Sequence, residues 1–211
     1  VPIDLAKKVQ FFTLDVISTI GLGKSFSMLD NDADVFNYAE SSEKGLYESG
    51  VAIGLGFGLV AQLPWIGKLF APSPEDSDGF GKMMATCFQY VDERVAKPID
   101  AKSDMFVSFM RHGLTHEELR SESLEQMFAG SDNTATSIRG SLLYIMTNPR
   151  VYRKLQREVD ETAQTGIFPE NGSKMVSYAQ AKQLPYLQAV IRESIRIFPL
   201  AVNTFHRDVP P

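Results

Sequence analysis

Ala129-Gly130-Ser131-Asp132-Asn133-Thr134 lies at the centre of the longest helical pattern in the sequence. Apolar residues recur at helical spacing on both sides: Leu124, Met127 and Phe128 before it, then Ala135, Ile138, Leu142 and Ile145 after it. Gly, Ser, Asp, Asn and Thr are poor helix formers, and a run of them weakens an element otherwise built of good ones. Small side chains let a large group approach the backbone. Hydroxyl, amide and carboxylate groups also compete for the backbone hydrogen bonds. The local pattern leaves two readings open: one long helix with a specialised centre, or two helices joined by a loop at this point.

Working outward, Thr115 and Glu118 form a capping box, and Glu117 and Glu118 suit the positive end of the helix they open. An unbroken helix from Thr115 to Asn148 would be roughly 50 Å long. Asn148 reads as the cap of the next helix, with Pro149 in its first position, Val151, Leu155 and Val159 on one face, and Gly166 closing it. Pro185 opens the last helix, where Leu187, Val190, Ile191, Ser194, Ile195 and Phe198 form a wide stripe before Pro199. Upstream, residues 3–20 place Ile3, Val9, Phe12, Val16 and Ile20 near one face and end at Gly21 and Gly23. Asp30 to Asp34 reads as a loop, with a second helical stretch from about Val35. Ala71-Pro72-Ser73-Pro74 links helices. Phe80, Met84, Cys87, Val91 and Val95 make a further stripe that Pro98 terminates nearby. There is no run of strand-like alternation, no repeat and no low-complexity tract, so the fold class read here is mainly α.

The 211 residues are 44% apolar and 22% charged, enough for one sizeable core and too apolar for a disordered segment. A net charge of −5 leaves no basic excess for phosphates, so no nucleic-acid partner is expected. The single cysteine, Cys87, excludes an internal disulfide and any zinc site that needs two thiolates. Val1 is followed by no charged n-region or apolar h-region, so no signal peptide is read; Val209-Pro210-Pro211 reads as mid-loop, and both ends look cut. Gly50 to Gly67 is the one stretch that suggests a membrane span. Gln62, Pro64 and its glycines favour instead a buried or interfacial segment ending at a proline turn.

Three further constellations carry possible chemistry. Ser18-Thr19-Ile20-Gly21-Leu22-Gly23-Lys24-Ser25 ends like a phosphate-binding loop, but its first glycine is Ser18 and a helix, not a strand, precedes it. His112 and His116 have the i, i+4 spacing of metal ligands, yet Gly113 and the Thr115 cap fall between them, and His206 stands alone. Glu193 and Arg196 at i, i+3 meet on one helix face opposite the apolar stripe, as a solvated ion pair would.

Taken together, the central hexapeptide and Glu193-Ser194-Ile195-Arg196 carry a family resemblance. The chain resembles a cytochrome P450, a haem-thiolate monooxygenase. The hexapeptide is similar to that family's Ala/Gly-Gly-x-Asp/Glu-Thr-Thr/Ser signature, and Glu193…Arg196 to its Glu-x-x-Arg pair. Asn148-Pro149, Leu184-Pro185-Tyr186-Leu187, Arg196-Ile197-Phe198-Pro199 and Phe12-Thr13-Leu14-Asp15-Val16-Ile17 match its flanking text. The wording is similar to the filamentous-fungal group that includes pisatin demethylase.

The resemblance implies one partial P450 domain over residues 1–211, the central part of a mainly α fold. It implies haem as cofactor, electrons from NADPH through a flavoprotein reductase, and a small organic substrate. One oxygen atom from O2 would be inserted, in hydroxylation or O-demethylation, by a parent enzyme at the endoplasmic reticulum membrane. Asp132 would belong to a proton relay, and Ala129 and Gly130 would leave room for oxygen beside the iron. Glu193 and Arg196 would be a buried structural pair, normally completed by a later arginine. Asn133 stands where the family has its oxygen-activating threonine, and Thr134 matches the less critical second position. The family's cysteine loop and the helices that precede Val1 in relatives are not among these residues. Thr86-Cys87-Phe88 lacks the glycine framework of that loop. The competing reading is a non-catalytic, truncated helical remnant without haem.

Overall fold

A computed structural model describes residues 2–57, 63, 71–96, 104–165 and 176–200. These residues are helical, with no strand among them. They divide into two compact units, Val1–Asp132 and Asn133–Pro211.

In the first unit, α1 (Leu5–Leu22) is capped by Asp4, which accepts from the Lys7 N–H at 3.1 Å, and it stops at Gly23, whose φ of 72° is a left-handed cap. The loop expected at Asp30 to Asp34 holds for Asp32 to Asp34, and its first two residues end a short helix, α2 (Met28–Asn31). Its orphan N–H groups are satisfied from a distance: the Asp15 carboxylate accepts from Met28 at 2.9 Å and from Leu29 at 3.0 Å. A 3-10 turn over Val35–Asn37 leads into α3 (Tyr38–Gly54), close to the expected start, with the Asp34 carboxylate accepting from Ala39 and Glu40. Next come α4 (Gly79–Val95) and the short α5 (Met105–Arg111), which the sequence reading missed. Asp104 caps α5 through the Val107 N–H at 2.7 Å.

The apolar face expected of α1 is corrected. Of the expected residues only Val9 is buried; Ile3, Phe12, Val16 and Ile20 are exposed, whereas Phe11, Leu14, Ser18 and Leu22 are buried. The helix is apolar nearly all round, so periodicity alone chose the wrong side. The core it joins includes Phe26, Met28, Tyr38, Met83, Cys87, Val91, Phe106 and Met127. The α4 stripe holds for Cys87 and Val91, while Val95 is exposed. Gly45 lets α3 and α4 come close: a Cβ there would stand 2.7 Å from the Phe80 ring.

The Gly50 segment, expected to be buried or interfacial, is not buried where it is described: Val51, Ile53, Leu55, Phe57 and Leu63 are all exposed. Residues 58–62 and 64–70, with Pro64, lie outside the described residues, as do Pro98, Gly166 and His206. Among the described residues, no helix is long and apolar enough to cross a membrane. Ser18 to Leu22 is helix, and no strand precedes Gly23, so the phosphate-loop reading is overturned.

The long central helix, α6 (His116–Thr147), runs without a break, 32 residues or about 48 Å. Its capping box forms: the Thr115 N–H donates to Glu118 Oε2 at 2.7 Å, and the Glu118 N–H to Thr115 Oγ1 at 3.4 Å. His112 ends α5 and His116 begins α6, so the two histidines share no helix.

In the second unit, the remainder of α6 is followed by α7 (Pro149–Gln164), α8 (Tyr178–Ala181) and α9 (Pro185–Ile197). Asn148 does not cap α7 with its side chain; Nδ2 donates backwards to the Tyr144 carbonyl at 2.8 Å. Ser177 and Gln180 form a capping box on α8. The α9 cap residue, Leu184, has no acceptor to offer, and Glu158 of α7 supplies one. Its carboxylate accepts from the Tyr186 and Leu187 N–H groups, each at 2.8 Å. Of the expected α9 stripe, Val190 and Ser194 are buried, and Ile191, Ile195 and Phe198 are exposed.

Candidate functional site

The polar centre of α6 stays helical because its hydrogen-bonding groups find partners that leave the backbone ladder intact. Ser131, 1% exposed, donates its hydroxyl to the Met127 carbonyl at 2.8 Å, within its own helix. Asp132 is served from elsewhere in the first unit. Gln10 Nε2 on α1 donates to Oδ1 at 3.2 Å, and Ser42 Oγ on α3 donates to Oδ2 at 2.8 Å. Both donors are 90 or more residues away in sequence, and neither was found from it. The only local hints are a glutamine inside an apolar helix and a serine pair near the start of α3.

The two small residues differ. Ala129 is exposed on α6. Gly130 is packed: a Cβ there would lie 2.7 Å from Ile17 Cδ1 of α1. The space that the resemblance assigned to oxygen is, on that side of Gly130, filled by Ile17. Its missing side chain serves helix packing. At the start of the second unit, Asn133 and Thr134 are both exposed, and Ala135 is fully buried.

Beside this arrangement in the first unit, Tyr38 and Cys87 make a buried pair of weakly acidic groups. Burial pushes the Cys87 thiol up to about 12, although the nearby Tyr38 hydroxyl eases its ionisation. Burial, with the charge of Asp132 and the neighbouring Cys87, raises Tyr38 well above the ordinary phenol value. The Tyr38 hydroxyl faces the thiol without a well-formed hydrogen bond to any partner.

In the second unit, Arg196 clasps Glu193 with both prongs of its guanidinium, each at 2.7 Å. Arg196 beside it holds the Glu193 carboxyl below its usual range. The pair is open to solvent, with side chains 55% and 70% exposed for Glu193 and Arg196. The burial that the resemblance implies is not supplied by the described residues. No cluster of three or more metal-ligating side chains occurs among them.

A continuous central helix with a small, polar centre, an acid tethered to neighbouring helices, and a Glu-x-x-Arg pair on a later helix are the features of a mainly α protein that the family resemblance draws on. The chain belongs to the cytochrome P450 family, whose pattern it matches over residues 1–210. It is 37% identical over its whole length to the cytochrome P450 monooxygenase ABA1 of Pyricularia oryzae, covering 41% of that protein. It is 34% identical over 99% of its length to aba1 of Botryotinia fuckeliana and to abl1 of Leptosphaeria maculans, both also cytochrome P450 monooxygenases, covering 40% and 36% of them. The chain thus spans about two-fifths of the relatives it matches.

The family implies haem. The exposed, small Ala129 in the first unit suits the close approach of a broad, flat group. Cys87 does not suit the role of axial ligand, because it is fully buried on α4 with its proton firmly held.

Proposed function

We propose that these residues form the oxygen-side half of a haem-dependent monooxygenase, with both units belonging to one P450 domain. The observation that carries this reading is the Asp132 carboxylate, fixed by two donors at the centre of an unbroken helix in a chain of this family. Haem ligated by a thiolate supplies oxygen activation when bound. Ala129 keeps the helix surface low where such a group would lie. Asp132, partly buried beside α1 and α3, holds and passes protons at its carboxylate oxygens. Asn133 can donate and accept a hydrogen bond through its amide, but it cannot hand on a proton as a hydroxyl does.

The substrate is a small organic molecule, oxidised by hydroxylation or O-demethylation. Electrons come from NADPH through a flavoprotein reductase, and the whole enzyme works at the endoplasmic reticulum membrane. Glu193 and Arg196 act in folding and haem uptake, not in the reaction. The test is Asp132→Asn in the haem-loaded protein that carries this segment, reading product formed per NADPH consumed. A loss of about 10²-fold or more in product rate, with haem content unchanged, supports the reading. Unchanged product yield per NADPH refutes it.

A further inference from the structure

The hydroxyl of Ser42 behaves unlike those of the buried Ser131 and Ser194. Ser131 and Ser194 both turn back on their own helix, donating to Met127 and Val190 at 2.8 Å. Ser42, 2% exposed, reaches across instead to an oxygen of Asp132 on another helix. The second oxygen is met by Gln10 from a third helix. The frames that carry the two donors are set by close contacts. Ile17, two turns along α1 from Gln10, is seated against Gly130, and Gly45, nearly one turn along α3 from Ser42, is seated against Phe80.

We infer that Gln10 and Ser42 are positioning residues that together set the orientation in which Asp132 handles protons. The inference rests on the proton-handling reading of Asp132 given above. A donor on each oxygen restricts rotation of the carboxylate, which a lone surface aspartate would sample freely. Both donors are neutral. An amide and a hydroxyl fix the direction of the carboxylate without adding a charge beside it. Ser42 can itself accept a hydrogen bond as well as donate one, so it stays a partner when a proton resides on the acid.

The experiment uses the haem-loaded protein that carries this segment, with the variants Ser42→Ala, Gln10→Leu, Ser42→Thr and Asp132→Asn. Three quantities are read: product per NADPH, the solvent deuterium isotope effect on product formation, and hydrogen exchange of the backbone over residues 128–134. Ser42→Ala and Gln10→Leu should each lower product per NADPH about tenfold, short of the roughly 10²–10⁴ that a positioned acid supplies, and both should enlarge the isotope effect. Exchange over residues 128–134 should quicken in both. Ser42→Thr, which keeps the hydroxyl, should restore coupling and isotope effect toward the parent. In the Asp132→Asn background, Ser42→Ala should add no further loss of coupling.

If Asp132→Asn uncouples the enzyme while Ser42→Ala and Gln10→Leu keep the parent's coupling and isotope effect, the positioning inference is overturned and the reading of Asp132 stands. If Asp132→Asn itself changes nothing, the reading of Asp132 fails, and the inference with it. Should Ser42→Ala not take up haem, the half-buried Gln10→Leu decides by the same measurements.

Discussion

Ile17 occupies the space that a side chain at position 130 would need: its Cδ1 lies 2.7 Å from the place of a Cβ on Gly130. Alanine has about 1 kcal/mol more helix propensity than glycine, so Gly130→Ala would stabilise an open helix. Here the added methyl is opposed by overpacking of about 1–3 kcal/mol, and the net change should be neutral to destabilising. Cγ1 of Ile17 is almost as close, at 2.8 Å, so relief needs both atoms gone, as in Ile17→Ala, which costs about 2–5 kcal/mol alone. The pair should not add: in chemical denaturation Gly130→Ala/Ile17→Ala should lose less stability than the sum of the two single losses. A double variant as unstable as the sum of the singles would show that the two residues do not share this space.

Cys87 should be silent in the folded protein. A thiol that keeps its proton to about 12 is neither a nucleophile nor a haem ligand at neutral pH. Thiol reagents should label it only on unfolding, and haem added to the 211-residue chain should give no thiolate-type Soret band with carbon monoxide. A band that disappears in Cys87→Ser would contradict this.

The same burial predicts an alkaline weakness. Unfolded, the Cys87 thiol ionises near 9.0, and folded it ionises near 12. Below pH 9 both states keep the proton and the stability is whole. Above it, unfolding releases the proton, so stability falls as pH rises toward 12. Tyr38, raised above 10.0, adds a loss of the same sign at still higher pH. Cys87→Ala should flatten the decline between pH 9 and 11 measured by denaturation, whatever its effect at pH 7.

Glu158 should matter more to α9 than to its own helix. Glu158→Ala leaves the Tyr186 and Leu187 N–H groups without their acceptor and should cost about 1–2 kcal/mol, with circular dichroism showing helix loss. Hydrogen exchange should quicken first at residues 185–188. Equal quickening along α7 alone would contradict the capping role.

Glu193→Ala should separate two settings. In the 211-residue chain the pair is exposed, and its loss should leave the unfolding midpoint where it was. In the haem-loaded protein we expect the same substitution to abolish haem incorporation. Normal haem content with slow turnover would move Glu193 from folding to reaction.

Asn133→Thr should raise product per NADPH in the loaded protein, because a hydroxyl can pass a proton where the amide cannot. Tight coupling with Asn133 that the substitution lowers would make the amide a working variant.

The sequence was most readable where its signals are local. Pro149 and Pro185 open their helices, and the Thr115–Glu118 box starts the central one, because each signal acts within one turn. The family and the mainly α class were legible for the same reason. The partners of Asp132 were not, since Gln10 and Ser42 meet it only after three helices have packed. The inward face of α1 was hidden by apolar residues on every side, and the short α2 by a cap that arrives from Asp15. Gly130 was visible as a glycine, but only the position of Ile17 shows what its smallness is for.

The Glu158 carboxylate has a consequence for the order of assembly. Helix α9 begins at Pro185 after Leu184, neither of whose side chains can receive its free N–H groups, and its acceptor sits about two and a half turns along α7 from Pro149. Nucleation is the costly step of helix formation, and α9 must borrow part of its nucleus from a helix already formed. It is therefore a dependent helix: α7 should form first in folding, and the segment bearing Glu193 and Arg196 should be templated on it.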